Sequence, residues 1–154
     1  MARAGMYMEL SPSQAEIDTP ARTTRPWLAD FRVGYETPGQ QLELAIMRGI
    51  NDDDINQLSV NVPWVVSVFY RYLPEVNSRI KLHLILGMSQ IEVESSYPGT
   101  ADTVDRFDGV SFGIGFEESF QSNPQMKLTL DWIRLYQGDQ ININATSFGF
   151  HYAF

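Results

Sequence analysis

The chain has 154 residues, carries Asp+Glu 19 against Lys+Arg 11 for a formal net charge of −8, and contains no cysteine. That length suits one domain, 1–154; the acidic balance without a clustered basic surface argues against nucleic acid; and zero cysteine removes disulfides, thiolate metal sites and a cysteine nucleophile. With 44% hydrophobic and 19% charged residues the chain is neither disordered nor as apolar as a helical membrane protein, and it has no run of about 18 apolar residues for a spanning helix.

Along the chain the dominant signal is a period of two, the mark of strands with one apolar face. A first strand over 2–11 sets Met6, Met8 and Leu10 against Tyr7 and Glu9. Over 26–36, Trp27, Ala29, Phe31, Val33 and Tyr35 face away from Asp30, Arg32 and Gly34; over 40–49, Leu42, Leu44 and Ile46 face away from Glu43 and Ala45. The segment 57–73 places Leu58, Val60, Val62, Trp64, Val66, Val68, Tyr70 and Tyr72 opposite Ser59, Asn61, Pro63, Val65, Ser67, Phe69 and Arg71. Pro63 lacks an N–H for the ladder, which predicts a bulge or local break there.

Over 78–93, Ile80, Leu82, Leu84, Leu86 and Met88 alternate with Arg79, Lys81, His83, Gly87 and Ser89, Ile85 being the exception on the polar side. Over 107–119, Val110, Phe112, Ile114 and Phe116 oppose Ser111, Gly113, Gly115 and Glu117. Over 125–137, Met126, Leu128, Leu130 and Trp132 oppose Lys127, Thr129 and Asp131, and over 139–154, Phe148, Phe150, Tyr152 and Phe154 oppose Ser147, Gly149, His151 and Ala153. No window predicts a helix. Short connections rich in turn formers, Thr37-Pro38-Gly39, Pro74-Glu75-Val76-Asn77 and Gln121-Ser122-Asn123-Pro124, alternate with longer ones at 12–25, 50–56 and 94–106; the last, around Gly138-Asp139, is shorter.

Any half-buried sheet alternates, so what occupies the less apolar face decides the environment. That face is mostly small: Ser59, Ser67, Gly87, Ser89, Ser111, Gly113, Gly115, Ser147, Gly149 and Ala153. Small residues fit the crowded interior of an eight-stranded barrel. The bulky face ends in Trp27 and Tyr35, Trp64 with Tyr70 and Tyr72, Trp132 and Tyr136, and Tyr152, the distribution of membrane-interface aromatics. The expected fold is therefore all-β, an eight-stranded antiparallel up-and-down transmembrane β-barrel with short periplasmic turns, longer extracellular loops and both termini periplasmic. Its predicted lumen holds Glu9, Asp30, Arg32, Glu43, Arg71, Lys81, His83, Glu117, Lys127, Asp131 and His151, of both signs and able to pair across the interior. Arg48 and Arg134 fall on the outer face near the loop ends, where they would snorkel to lipid phosphates unless a bulge turned them inward.

The run Gly109-Val-Ser-Phe-Gly-Ile-Gly-Phe-Glu117, then Leu128-Thr-Leu-Asp-Trp-Ile-Arg-Leu-Tyr136, then Ser147-Phe-Gly-Phe-His-Tyr-Ala-Phe154 resembles the outer-membrane β-barrel domain family of small opacity-type and OmpA-like barrels. The resemblance spans residues 105–154 best, is weaker over 26–95, and implies a fold and an outer-membrane location in a Gram-negative bacterium rather than an activity. It makes Phe150, Tyr152 and Phe154 the expected signal for the barrel assembly machinery, with outer-membrane lipid and lipopolysaccharide as the surroundings of a monomer. Met1 to Gly5 lacks the apolar core of a signal peptide, so export predicts a mature chain.

No catalytic, cofactor or metal site is expected. His83 and His151 sit on strands almost opposite in the ring, and Ser147 is four residues from His151, over roughly 13 Å along a strand, as His83 and Ser89 also are too far apart. Asp52-Asp53-Asp54 has no EF-hand spacing, and no helix follows Gly113-Ile-Gly115 to make a phosphate loop. The expectation is a structural or surface-interacting barrel with a filled polar lumen and no enzymatic activity. The alternatives are a narrow channel for ions or small solutes, and a soluble lipocalin-like binder with its apolar face inside.

Overall fold

Hydrocarbon offers backbone N–H and C=O groups no partner, so strands that cross it have to satisfy one another around a closed ring. The computed structural model of the chain, which describes residues 4–55, 57–74 and 78–154, is such a ring. Its strands are β1 (Gly5–Thr19), β2 (Arg22–Thr24), β3 (Trp27–Thr37), β4 (Gln40–Gly49), β5 (Asp53–Ile55), β6 (Leu58–Tyr72), β7 (Ile80–Ser96), β8 (Thr103–Ser119), β9 (Met126–Gln137) and β10 (Asn142–Ala153). The short β2 and β5 only extend hairpins, pairing with the ends of β1 and β6. The other eight run antiparallel in the neighbour order β1-β3-β4-β6-β7-β8-β9-β10, and β10 pairs back onto β1 from Tyr7↔Ala153 to Asp18↔Asn142, which closes the barrel. At the end that holds the described termini, Thr37↔Gln40 closes a two-residue hairpin; Pro38 sits at its first central position and Gly39 adopts φ 82°, the left-handed backbone that a glycine takes without strain. The predicted strand start at residues 2 and 3 and the turn residues Glu75, Val76 and Asn77 lie outside the described residues.

The faces are inside out for water and right for lipid. Leu10, Leu86 and Met88 are 61%, 58% and 68% exposed, whereas Arg32, Arg71 and Asp30 are 0% exposed inside the barrel. A soluble binding barrel reverses that distribution, so the lipocalin-like alternative does not hold. Each large apolar side chain left in water forgoes about 1.5–3 kcal/mol of burial, and the outer face carries them on every one of the eight long strands. Trp27, Trp64 and Trp132 mark the loop side of the band; Tyr35, Tyr72 and Tyr152 mark the termini side. Trp27 to Tyr35, and likewise Trp64 to Tyr72, is eight residues, about 26 Å along a strand and about 20 Å of height at the usual barrel tilt, close to the apolar band of such barrels.

Above the tryptophans the polarity inverts. On β1 the outer face changes from Met6, Met8 and Leu10 to Gln14, Glu16 and Asp18, while the inner face changes from Glu9, Ser11 and Ser13 to Ala15 and Ile17. On β7, Leu84, Leu86 and Met88 outside give way to Gln90, Glu92 and Glu94, and buried Ile91 and Val93 lie within. The strands thus rise beyond the lipid band into water and continue as a barrel with an ordinary apolar core.

Three sequence expectations are corrected by this. Much of 12–25 and 94–106 is strand rather than loop; over 12–19 and 94–96 alternation continues with its sign reversed. Val60 and Val62 point inward and are buried, and Leu58 is half-buried against the same core. The cause is the register shift between Asn61 and Trp64 around Pro63, where a bulge does occur and exchanges the faces of everything above it. Tyr136 is half-buried and packs on Phe107 and the interior core, not out in the interfacial belt; above Ile133 and Leu135 the β9–β10 register slips at Ile143/Asn144.

The inversion predicts that an outward arginine is costly at one height and tolerated at another. Val68→Arg, at the middle of the lipid face of β6, should destabilise the barrel by about 2–4 kcal/mol in chemical unfolding from phospholipid vesicles. Glu94→Arg, above the band on β7, should stay within about 0.5 kcal/mol of the parent.

Candidate functional site in the barrel interior

Period-two geometry brings every second residue of all eight long strands to one axis, and in the termini-side half these are charged. Arg32 on β3 lies at the centre. Its Nη1 donates to Asp131 Oδ2 at 2.7 Å and to Glu43 Oε1 at 3.3 Å. Its Nε and Nη2 donate to Asp30 Oδ2 at 2.9 and 2.6 Å, and Nη2 also donates to Ser147 Oγ at 3.1 Å. Glu9 Oε1 stands 3.7 Å from Nη1. Arg71 on β6 donates from Nε to Glu43 Oε1 at 2.9 Å and from Nη2 to Asp131 Oδ2 at 2.7 Å. The two guanidiniums therefore meet four carboxylates, Glu9, Asp30, Glu43 and Asp131, with Tyr7 donating its hydroxyl to Glu43 Oε2 at 2.7 Å.

His83 belongs to this cluster. Its Nε2 is 2.7 Å from Asp131 Oδ1 and 3.1 Å from Arg71 Nη1. A carboxylate only accepts, so the shorter contact puts the hydrogen on Nε2, and Arg71 is then a neighbour of that nitrogen rather than its donor. His83 Nδ1 is buried without a partner among the described residues. Gly115 faces this point from β8, where any Cβ would collide with the Asp131 carboxylate and the His83 ring.

A second layer lies nearer the termini. Lys127 Nζ donates to Glu36 Oε2 at 2.8 Å and lies 3.3 Å from Glu117 Oε1; Gln41 Nε2 bridges Glu36 and Glu117 at 3.3 Å each. His151 stacks on Tyr7 with ring centroids 4.1 Å apart, its nitrogens 3.7 Å from Glu9 and 3.4 Å from Glu36. Lys81 is half-buried and forms no salt bridge among the described residues. Tyr7, Glu36 and Gln41 were absent from the expected charge set, although each shares the parity of a neighbour in it; a count restricted to contrast between adjacent residues passes over them.

Toward the loops the interior changes character. Ser67, Ser89 and Ser111 form a hydroxyl row at 2.6 Å spacing, and Ser111 donates to Leu135 O at 2.9 Å, so Ser89 donates to Ser111 and Ser67 to Ser89. Beyond lie Leu28, Met47, Val62, Val65 and Ile91, all buried, and Phe69 lies within the charged half with Arg32 5.8 Å over its ring, so the interior is not polar throughout as expected. Neither Ser89 nor Ser147 contacts a histidine, and the Asp52 and Asp53 carboxylates accept from Ser59 Oγ at 3.1 Å and Arg25 N at 2.6 Å, organising the hairpins around them. Arg48 is outside, its guanidinium 5.2 Å over the Trp64 ring; Arg134 is outside, 5.8 Å over Trp132 and donating to Asn144 Oδ1 at 2.9 Å.

No protein-family model and no curated protein matches the chain. Solved structures do. It is similar to Neisserial surface protein A, with TM-score 0.74 and 13% identity over 99% of this chain and 100% of that one. It is similar to Ail, the attachment invasion locus protein of Yersinia pestis, crystallised with the heparin analogue sucrose octasulfate, at TM-score 0.73 and 12% identity over 99% and 100%. The N-terminal β-barrel domain of Pseudomonas aeruginosa OprF gives TM-score 0.65 and 11% identity over 97% and 100%. At these identities the likeness is one of fold, that of the small eight-stranded barrels of the OmpA-like and opacity type.

Removing one guanidinium leaves carboxylates buried and unpaired. Arg32→Met should cost about 3–5 kcal/mol in unfolding from vesicles. Arg71→Met and Asp131→Asn, which share one hydrogen bond, should combine with a departure from additivity of about 0.5–3 kcal/mol.

Proposed function

We propose that the protein is an integral outer-membrane β-barrel of a Gram-negative bacterium, monomeric, with both termini in the periplasm, and that its role is structural or surface-interacting rather than enzymatic or pore-forming. One observation carries this reading: an apolar exterior bounded by tryptophans and tyrosines surrounds an interior in which Arg32 and Arg71 are wholly buried and tied to carboxylates from several strands. A solute passing along the axis would have to break those contacts, and the apolar side chains above them offer it no hydration. Ser67, Ser89 and Ser111 bond one another and the Leu135 carbonyl, His83 bonds Asp131, and among the described residues no serine hydroxyl is hydrogen-bonded to a histidine that would activate it. The terminal Phe150, Tyr152 and Phe154 are exposed on the lipid side, where assembly machinery could read them. Arg48 and Arg134, each over a tryptophan at the loop-side boundary, suit the phosphates of lipopolysaccharide.

Refolded into detergent micelles, the protein should migrate differently on SDS gels before and after boiling. In planar bilayers it should give no conductance steps above baseline. Steps that survive in single-channel records would replace the closed-interior reading with a narrow channel, and a chain that folds in plain buffer without a heat-modifiable band would remove the membrane reading altogether.

A further inference from the structure

The edges that β2 and β5 expose above the lipid band are three residues long, and β10 stays paired with β1 up to Asp18↔Asn142. β8 differs. It is paired with β7 up to Ser95↔Thr103, but its ladder with β9 ends at Phe112↔Arg134. Residues 103–111 are therefore bonded on one side only. β9 stops at Gln137, which the same register would set opposite Gly109, so residues 103–108 have no strand beside them on that side. Every second residue of such an edge turns its N–H and C=O toward open solvent.

Natural edges are blunted by proline, lysine, a bulge or brevity. The stretch Thr-Val-Asp-Arg-Phe-Asp at 103–108 has no Pro and no Lys, and its register with β7 runs without a shift. Its one cation is already engaged, because Arg106 Nε lies 3.2 Å from Glu92 Oε2 on β7. Asp105 and Asp108 are exposed and form no salt bridge among the described residues. Charge is the guard that remains, and it is a selective one: two aspartates repel an acidic strand and attract a basic one. Asp139 adds a third carboxylate in the groove just below, about 390 Å³, where Gly109 and Val110 face Gln137 and Gly138.

We propose that the free edge of β8, residues 103–108, docks an extended segment of a partner polypeptide, added as a further antiparallel strand whose basic residues face Asp105 and Asp108. Backbone hydrogen bonds supply the affinity and the two ion pairs the selection, as in strand addition at sheet edges generally. Antiparallel is the orientation of every ladder in the barrel. Asp108 shares the outer face of β8 with Val104 and Arg106, and Asp105 the inner face with Phe107. The incoming strand therefore needs basic residues three apart, one on each face, and apolar residues against Val104 and Phe107. The edge lies above Trp132, so a partner reaches it without entering lipid. The inference deepens the surface-interacting reading and rests on it, yet fails separately from the membrane barrel, since the measurement below is made on protein already shown to be folded in a bilayer.

The test is amide-detected NMR on deuterated, isotope-labelled protein in phosphatidylcholine nanodiscs, whose neutral surface does not itself draw cations. The probe is the acetylated and amidated peptide Val-Lys-Val-Thr-Lys-Val-Thr, written to run antiparallel from Gly109 to Thr103 with its lysines opposite Asp108 and Asp105. Saturable shifts centred on 103–109, slower amide exchange at alternate residues there, and nuclear Overhauser effects from the peptide backbone to this edge are expected. With glutamate in place of both lysines the peptide should bind at least about tenfold more weakly. Asp105→Lys combined with Asp108→Lys should reverse that preference while keeping the heat-modifiable band. Two further copies are N-methylated on alternate sets of backbone nitrogens, which leaves every charge in place; the copy whose methyls face the edge should lose binding and the other keep it. No saturable shift, the same affinity for both N-methylated copies, or shifts centred away from β8 would overturn the proposal while leaving the membrane barrel intact.

Discussion

The guanidinium of Arg32 touches five strands at once. It reaches Glu9 on β1, Asp30 on its own β3, Glu43 on β4, Asp131 on β9 and Ser147 on β10. An isolated charge in a dry interior costs many kcal/mol, and its partners are just as costly when left alone, so these groups are tolerable only as a set. Much of the local sequence follows from holding that set. The staves opposite need glycine or serine where the long side chains converge, as Gly115 does beside Asp131 and His83. Tyr7 and Gln41 fill the positions where a further hydrogen bond is required.

Lipid outside and charge inside explain only part of the height. The same strands continue past Trp27, Trp64 and Trp132 into water, and there the rules of a soluble barrel return: Gln14, Glu16 and Glu94 outside, Ile17, Val60 and Val93 inside. The molecule is thus two half-barrels of opposite polarity built on the same strands. The charged layer ties the staves together near the termini, the apolar layer near the loops, and the serine row Ser67–Ser89–Ser111 marks the passage between them. Above that passage the wall opens between β8 and β9, where lipid no longer penalises an unpaired backbone edge.

The similarity to Neisserial surface protein A, Ail and the OprF barrel domain rests on the eight-stranded barrel fold and not on shared residues, at 11–13% identity. Few side-chain identities are needed to specify such a ring. Alternation, small inward residues and two aromatic belts suffice, and the details of the interior are then free to differ.

Within the lipid band, strand positions, faces and most charged interior residues were legible in the sequence, because a residue with lipid on one side and a crowded lumen on the other has almost no freedom in polarity. Glu9, Asp30, Arg32, Glu43, Arg71, Glu117, Lys127 and Asp131 all declare their side through their immediate neighbours. What lay beyond reach depended on contacts between strands. A period of two keeps its phase only until a bulge, and Pro63 announces one without saying which way Val60 and Val62 turn; pairing with β7 decides that. Alternation of reversed sign in 12–19 and 94–96 reads as loop because β1 and β7 carry no outward-facing Trp or Tyr to mark where lipid ends on them. The split between β8 and β9, and the turn of Tyr136 into it, exist only through the relative lengths of ladders that local sequence does not encode.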